Sequence, residues 1–90
     1  DTASWAVSRL GPQPVLPQSV PLALSGASQN LPRHAILTTK DRTIPPDWQA
    51  RMAAGLPEAC ITTMPCGHSP FFAAPEDLAR RLIGLARAMG

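Results

Sequence analysis

The sequence predicts an α/β fold that is incomplete by itself: two parallel strands and two helices following a proline-rich connector. Two short segments, His34-Ala35-Ile36-Leu37-Thr38-Thr39 and Ala59-Cys60-Ile61-Thr62-Thr63-Met64, are apolar and β-branched without clean alternation, as in strands buried on both faces of a parallel sheet. A helical segment lies between them and a stronger one follows, giving a right-handed β-α-β crossover with a further helix on the sheet. Residues 1–30, rich in Pro, Gly and Ser, form the connector, and residues 31–90 form the β-α-β-α segment.

Each element follows from local chemistry. Trp5, Val7 and Leu10 suggest a short helical stub between Asp1 and Leu10. The run Gly11-Pro12-Gln13-Pro14-Val15-Leu16-Pro17 forbids its continuation, so extended chain is expected there. The stretch to Asn30 keeps the same loop character and reads as chain wrapped over another surface. The first strand is placed at Arg33 to Thr39 and the second at Ala59 to Met64. Between them, Pro45-Pro46 blocks early helix formation, Asp47 offers an N-cap oxygen, and a helix runs from Trp48 to Ala54 with Gly55 just past its end. The last helix spans Pro75 to Met89: proline suits its first position, Glu76 and Asp77 favour its N-terminal dipole, and Leu78, Leu82, Leu85 and Met89 recur at helical spacing. Gly84 inside it marks either a close packing contact or a tolerated weakness.

Composition excludes several classes. Ninety residues with two Phe, two Trp and no Tyr bury only about 60–65% of their unfolded surface, which makes an independent core marginal. A net charge of +2 with scattered basic residues gives no nucleic-acid footprint. No apolar run approaches the roughly 20 residues of a membrane span, and no signal peptide is visible. The two cysteines, Cys60 and Cys66, allow at most one bridge, so a reducing, cytoplasmic setting is expected. The chain opens on Asp1-Thr2-Ala3 rather than methionine, which suggests that an upstream part is missing. Two parallel strands point the same way, because their outer edges and faces need covering by strands from elsewhere.

The chemistry concentrates at the strand ends. Asp41 follows the first strand in Thr38-Thr39-Lys40-Asp41-Arg42-Thr43-Ile44-Pro45, and His68 follows the second in Met64-Pro65-Cys66-Gly67-His68-Ser69-Pro70-Phe71-Phe72. A histidine acting as general base needs a carboxylate that fixes its tautomer and stabilises the imidazolium, and neighbouring parallel strand ends supply such a pair. Gly67 is expected to permit a tight turn before the histidine, and Pro70 to stop immediate helix formation after it. Taken singly, His68 reads as an ordinary loop histidine and Asp41 as a strand-terminating or turn-forming aspartate, and only the joint pattern favours the pair. Cys66 is placed as a small buried thiol, because two residues from His68 on one loop it is poorly aligned as a nucleophile. His34 is placed as a packed or edge histidine, and no ligand cluster supports a metal.

Together with Pro32-Arg33-His34-Ala35-Ile36, Trp48-Gln49 and Pro75-Glu76, these motifs resemble the C-terminal part of esterase-like α/β-hydrolases. The branch concerned includes plant methyl-ester esterases, salicylate-binding esterases, hydroxynitrile lyases and their bacterial relatives. Arg9-Leu10-Gly11-Pro12-Gln13-Pro14 is similar to the chain leaving that family's small cap.

The resemblance implies a Ser-Asp-His triad in which Asp41 supports His68 and His68 activates a serine that attacks an ester, with no cofactor. It also implies that Ser69 faces the substrate pocket and that Phe71 helps wall it, although a turn-capping serine and a core phenylalanine fit the residue types as well. The family's G-x-S-x-G nucleophile motif is absent. Gly26-Ala27-Ser28-Gln29-Asn30 lacks the second glycine and the strand-turn-helix setting, so Ser28 is rejected. Ser69 stands where the lyases of this branch carry a lysine, which favours ester hydrolysis.

The expected partner is therefore an N-terminal hydrolase part carrying the serine, as a separate chain, a bound fragment or a lost segment, with a small ester as substrate. The alternative is a non-catalytic remnant that associates with itself or another protein through its exposed sheet edge and apolar faces.

Overall fold

The computed structural model describes all residues from 1 to 90, which divide into two compact units, residues 1–30 and 31–90.

In the first unit, helix α1 (Thr2–Arg9) begins where Asp1 Oδ1 accepts the Ser4 N–H at 2.8 Å, a side-chain cap for an otherwise orphaned donor. Arg9 sits in its last turn, favourable to the negative helix end, with its guanidinium 5.8 Å from the Trp5 ring centre. The extended chain expected after Gly11 is interrupted by a helical turn, α2 (Leu16–Ser19). Pro17 is the cause of the difference: in a first turn its missing N–H leaves nothing unsatisfied, so proline starts helices as readily as it ends them. A 3₁₀ turn, Gly26–Asn30, closes the unit, none of whose residues is buried.

The second unit is built on two parallel strands, β1 (Ala35–Thr38) and β2 (Ile61–Met64), aligned from Ala35 opposite Ile61 to Thr38 opposite Met64. Both are shorter than the sequence suggests. Ahead of β2, Pro57 starts a 3₁₀ turn, Glu58–Cys60, in which the Cys60 N–H bonds the Pro57 carbonyl at 2.8 Å. Beyond the strands, two further main-chain bonds prolong the pairing: Thr39 N–H to Met64 O and Lys40 N–H to Cys66 O, each 3.0 Å. This extension holds the segments after β1 and β2 side by side.

Helix α3 (Pro46–Met52) connects the strands and starts earlier than expected. Pro46 occupies the first helical position, Asp47 lies within the first turn rather than capping it, and no side chain caps the helix. The fixed φ of proline and its lack of an N–H explain why the Pro-Pro pair opens the helix instead of blocking it. The helix ends at Ala53 with φ −93° and ψ 0°, and Gly55 is not in a left-handed conformation, so it does not act as the terminating glycine.

Pro70 likewise opens a helical turn, α4 (Pro70–Ala73), where a loop is expected from the sequence. Helix α5 (Pro75–Met89) has the expected bounds. Arg81 Nε reaches both Asp77 oxygens at 3.2 Å, an i,i+4 pair of the helix surface.

The core of this unit is small. Ala53, Met64 and Cys66 are its buried apolar residues, Met64 completely, and Thr38 and Asp41 are the buried polar ones. Trp48, Met52, Phe71, Phe72, Leu82 and Ile83 remain exposed. Nothing approaches within 4 Å of the position a Cβ would take on Gly84, so no contact within this chain requires a glycine there.

Gly84→Ala is therefore expected to stabilise α5 by about 0.5–1 kcal/mol, the usual gain for alanine over glycine inside a helix. Urea unfolding measures it. A loss of stability would mean that α5 packs its Gly84 side closely against another surface.

Candidate active site

Asp41 lies just past β1, where the chain turns and the Asp41 N–H bonds the Thr38 carbonyl at 3.3 Å. Its carboxylate is almost fully buried and receives five donors. Oδ1 accepts the backbone N–H groups of Thr43 (2.8 Å) and Ile44 (2.9 Å), folding the following loop around the side chain. Oδ2 accepts the Thr38 hydroxyl (2.9 Å), His68 Nδ1 (2.9 Å) and the Gln49 amide (3.3 Å). Burial by itself pushes the Asp41 pKa up, but the hydrogen bonds from His68, from the Ile44 and Thr43 backbones and from Thr38 outweigh it and hold the group well below the usual carboxylate range.

The ionised acid settles the histidine tautomer. A carboxylate only accepts, so Nδ1 must donate, and in the neutral ring Nε2 is then left as the acceptor. His68 stands on the loop after β2 with its side chain 48% exposed, and Nε2 has no hydrogen-bond partner within the chain. The arrangement is a buried acid behind a half-exposed imidazole whose outer nitrogen is free to take a proton.

Gly67 contributes less than its position suggests. Its φ is not left-handed, and an added Cβ would lie 3.9 Å from the Lys40 carbonyl oxygen, an ordinary contact. The loop is shaped instead by the main chain of Cys66, whose carbonyl accepts the Lys40 N–H (3.0 Å) and whose own N–H donates to the Met64 carbonyl (2.9 Å).

Ser69 is half-buried immediately before α4, and Phe71 is exposed with its ring 5.0 Å from that of Phe72. A cavity of about 370 Å³ beside β1 and α3 is lined by Ile36, Thr38, Met52 and Leu56 together with Asp41 and His68, and neither Ser69 nor Phe71 lines it. Cys66 is a buried free thiol and Cys60 a half-buried one. His34 is half-buried ahead of β1, with Nδ1 enclosed and without a hydrogen-bond partner. Ser28 lies in the 3₁₀ turn of the first unit. No three His, Cys, Asp or Glu side chains come together as a metal site, and no helix is long and apolar enough to cross a membrane.

Two residues at the acid, Thr38 and Gln49, stand in motifs noted from the sequence but are given no role there. Helical spacing relates Gln49 to Ala53 four residues on, but only the structure shows that Ala53, at the helix end, is buried and that Gln49 faces the same way.

A model of the alpha/beta hydrolase family matches residues 1–81. The chain belongs to that family. No curated protein and no solved structure matches it. Within an α/β-hydrolase, an acid and a histidine following adjacent parallel strands lie at the carboxyl edge of the sheet, where open α/β folds carry their chemistry.

The lowered Asp41 pKa fixes a pH dependence of stability. Below its ordinary value of 3.8, the unfolded chain takes up the proton while the folded carboxylate stays ionised, so the unfolded state binds more protons. The contribution of Asp41 is therefore whole above that value and is lost as the pH falls beneath it. Denaturant midpoints measured from pH 6 downward should decline below about pH 4, and Asp41→Asn should flatten that decline. An equally steep decline in the variant would show that other carboxylates cause it.

Proposed function

We propose that the chain supplies the acid and base of a serine hydrolase of carboxylesterase type, with the nucleophilic serine carried by a part of the fold outside these 90 residues. The observation that carries this reading is the 2.9 Å bond from His68 Nδ1 to the buried Asp41, with Nε2 left free. Family membership supports hydrolysis as the reaction class. The need for further fold is supported by a two-stranded sheet that leaves large apolar side chains of α3, α4 and α5 in water. Ester cleavage rather than lyase chemistry is supported by Ser69 following His68, where the lyases of the resembled branch carry a lysine.

In this mechanism His68 Nε2 takes the serine hydroxyl proton as the oxygen attacks the ester carbonyl, and Asp41 stabilises the imidazolium without accepting the proton. Collapse of the tetrahedral intermediate breaks the C–O bond to the alcohol, which leaves with the proton from Nε2. Water then repeats the sequence: Nε2 removes its proton, the hydroxide adds to the acyl carbon, and the proton returns to the serine oxygen as the acid departs. The resemblance alone assigns Ser69 and Phe71, next to the base, to the substrate side of the loop, since neither lines the cavity beside β1 and α3. The free thiols of Cys60 and Cys66 fit a reducing, cytoplasmic setting.

The exposed apolar side chains also favour a second reading, a remnant that associates with itself or another protein without catalysis. Purified material separates the two. Native mass spectrometry should find a bound polypeptide containing G-x-S-x-G, whereas pure self-association supports the remnant. In the active assembly, Asp41→Asn should lower p-nitrophenyl ester turnover by about three to four orders of magnitude, since the wrong imidazole tautomer is then favoured. Unchanged turnover removes Asp41 from the triad. Rapid hydrolysis by the 90-residue chain alone, lost on His68→Ala, would place a nucleophile within it.

A further inference from the structure

We infer that Gln49 is a positioning residue for the Asp41–His68 pair, an inference that rests on the catalytic reading above. Its side-chain amide is fully engaged. Oε1 accepts the Thr38 N–H at 2.7 Å, while Nε2 donates to the Thr38 carbonyl at 3.0 Å and to the Ile44 carbonyl at 2.7 Å, and lies 3.3 Å from Asp41 Oδ2. With two hydrogens and three acceptors, Nε2 gives its shorter bonds to the carbonyls and shares one hydrogen with the carboxylate.

These contacts have two consequences. Thr39 turns its N–H toward β2 and bonds Met64, so the main chain of Thr38 faces the opposite, outer edge of β1. There the Gln49 amide takes both the N–H and the C=O of Thr38, as one residue of a neighbouring strand would, and ends that edge at Thr38. Meanwhile its bond to Ile44 fastens the far end of the loop that carries Asp41. Gln49 thus clamps residues 38 and 44, and the backbone donors of Thr43 and Ile44 that hold Oδ1 depend on that loop being closed.

The clamp requires an amide. A glutamate at position 49 keeps the shape but faces the Thr38 and Ile44 carbonyls and the Asp41 carboxylate with oxygen alone, so each of the three loses the donor that Gln49 supplies. A methionine keeps the length and apolar stem but makes none of these bonds. Either change lets Asp41 shift relative to His68 Nδ1, which alters the chemical step more than substrate binding.

The test is a double-mutant cycle in the active assembly, with p-nitrophenyl acetate as substrate and serine sites counted by exhaustive fluorophosphonate labelling. Gln49→Glu should lower kcat per site about tenfold to a hundredfold, the scale set by a misplacement of about an ångström in a catalytic group, with KM nearly unchanged. Combined with Asp41→Asn it should cause little further loss, because both changes act through the same carboxylate. Should Gln49→Glu fail to fold, Gln49→Met carries the same expectation. An unchanged kcat per site, or an equal loss with and without Asp41, overturns the inference while leaving the triad intact. If Asp41→Asn itself leaves turnover unchanged, the catalytic reading falls and the role of Gln49 falls with it.

Discussion

The Asp41 carboxylate is the constraint around which the second unit is organised. A buried charge is tolerated only when donors replace the water it has lost. Here the donors come from four places: the end of β1 through Thr38, the following loop through Thr43 and Ile44, helix α3 through Gln49, and the loop after β2 through His68. Every segment that meets near the sheet's carboxyl edge sends a donor to the same group. The charge stays ionised, and the imidazole consequently has one possible orientation of its proton.

The sheet acts as the ruler for this arrangement. Register alone puts Thr38 opposite Met64, and the bonds from Thr39 to Met64 and from Lys40 to Cys66 carry that alignment past the strand ends. His68 then comes within reach of Asp41 although the two are 27 residues apart. The completely buried Met64 and the buried Cys66 anchor the histidine side of the pair, while Gln49 of α3 and Ala53 at its end lie on the acid side. The same unit exposes Trp48, Phe71, Phe72, Leu82 and Ile83, surface that its own small core cannot cover.

The order of strands and helices was legible because burial and periodicity leave strong marks: β-branched runs for the strands, and leucines at three- and four-residue spacing with acidic residues at the start for α5. The acid and base were legible through their position after those strands. Proline was the least transparent residue. Its ring forbids helix interiors but suits first turns, so Pro17, Pro46 and Pro70 open helical turns where a breaker was expected. Gly67 gave a false lead, since its backbone takes a conformation open to any residue. Gln49 stayed hidden because a glutamine on a helix is ordinarily solvated. Its meaning appears only when the helix is laid against the end of β1.

Nitrogen NMR of His68 tests the central claim most directly. With histidine labelled and His34→Gln used for assignment, the neutral imidazole of His68 should show a protonated Nδ1 and an unprotonated Nε2, as the bond to the ionised Asp41 requires. A neutral ring carrying its proton on Nε2 would contradict the account, because that nitrogen could then neither receive a proton nor leave Nδ1 to donate to the acid.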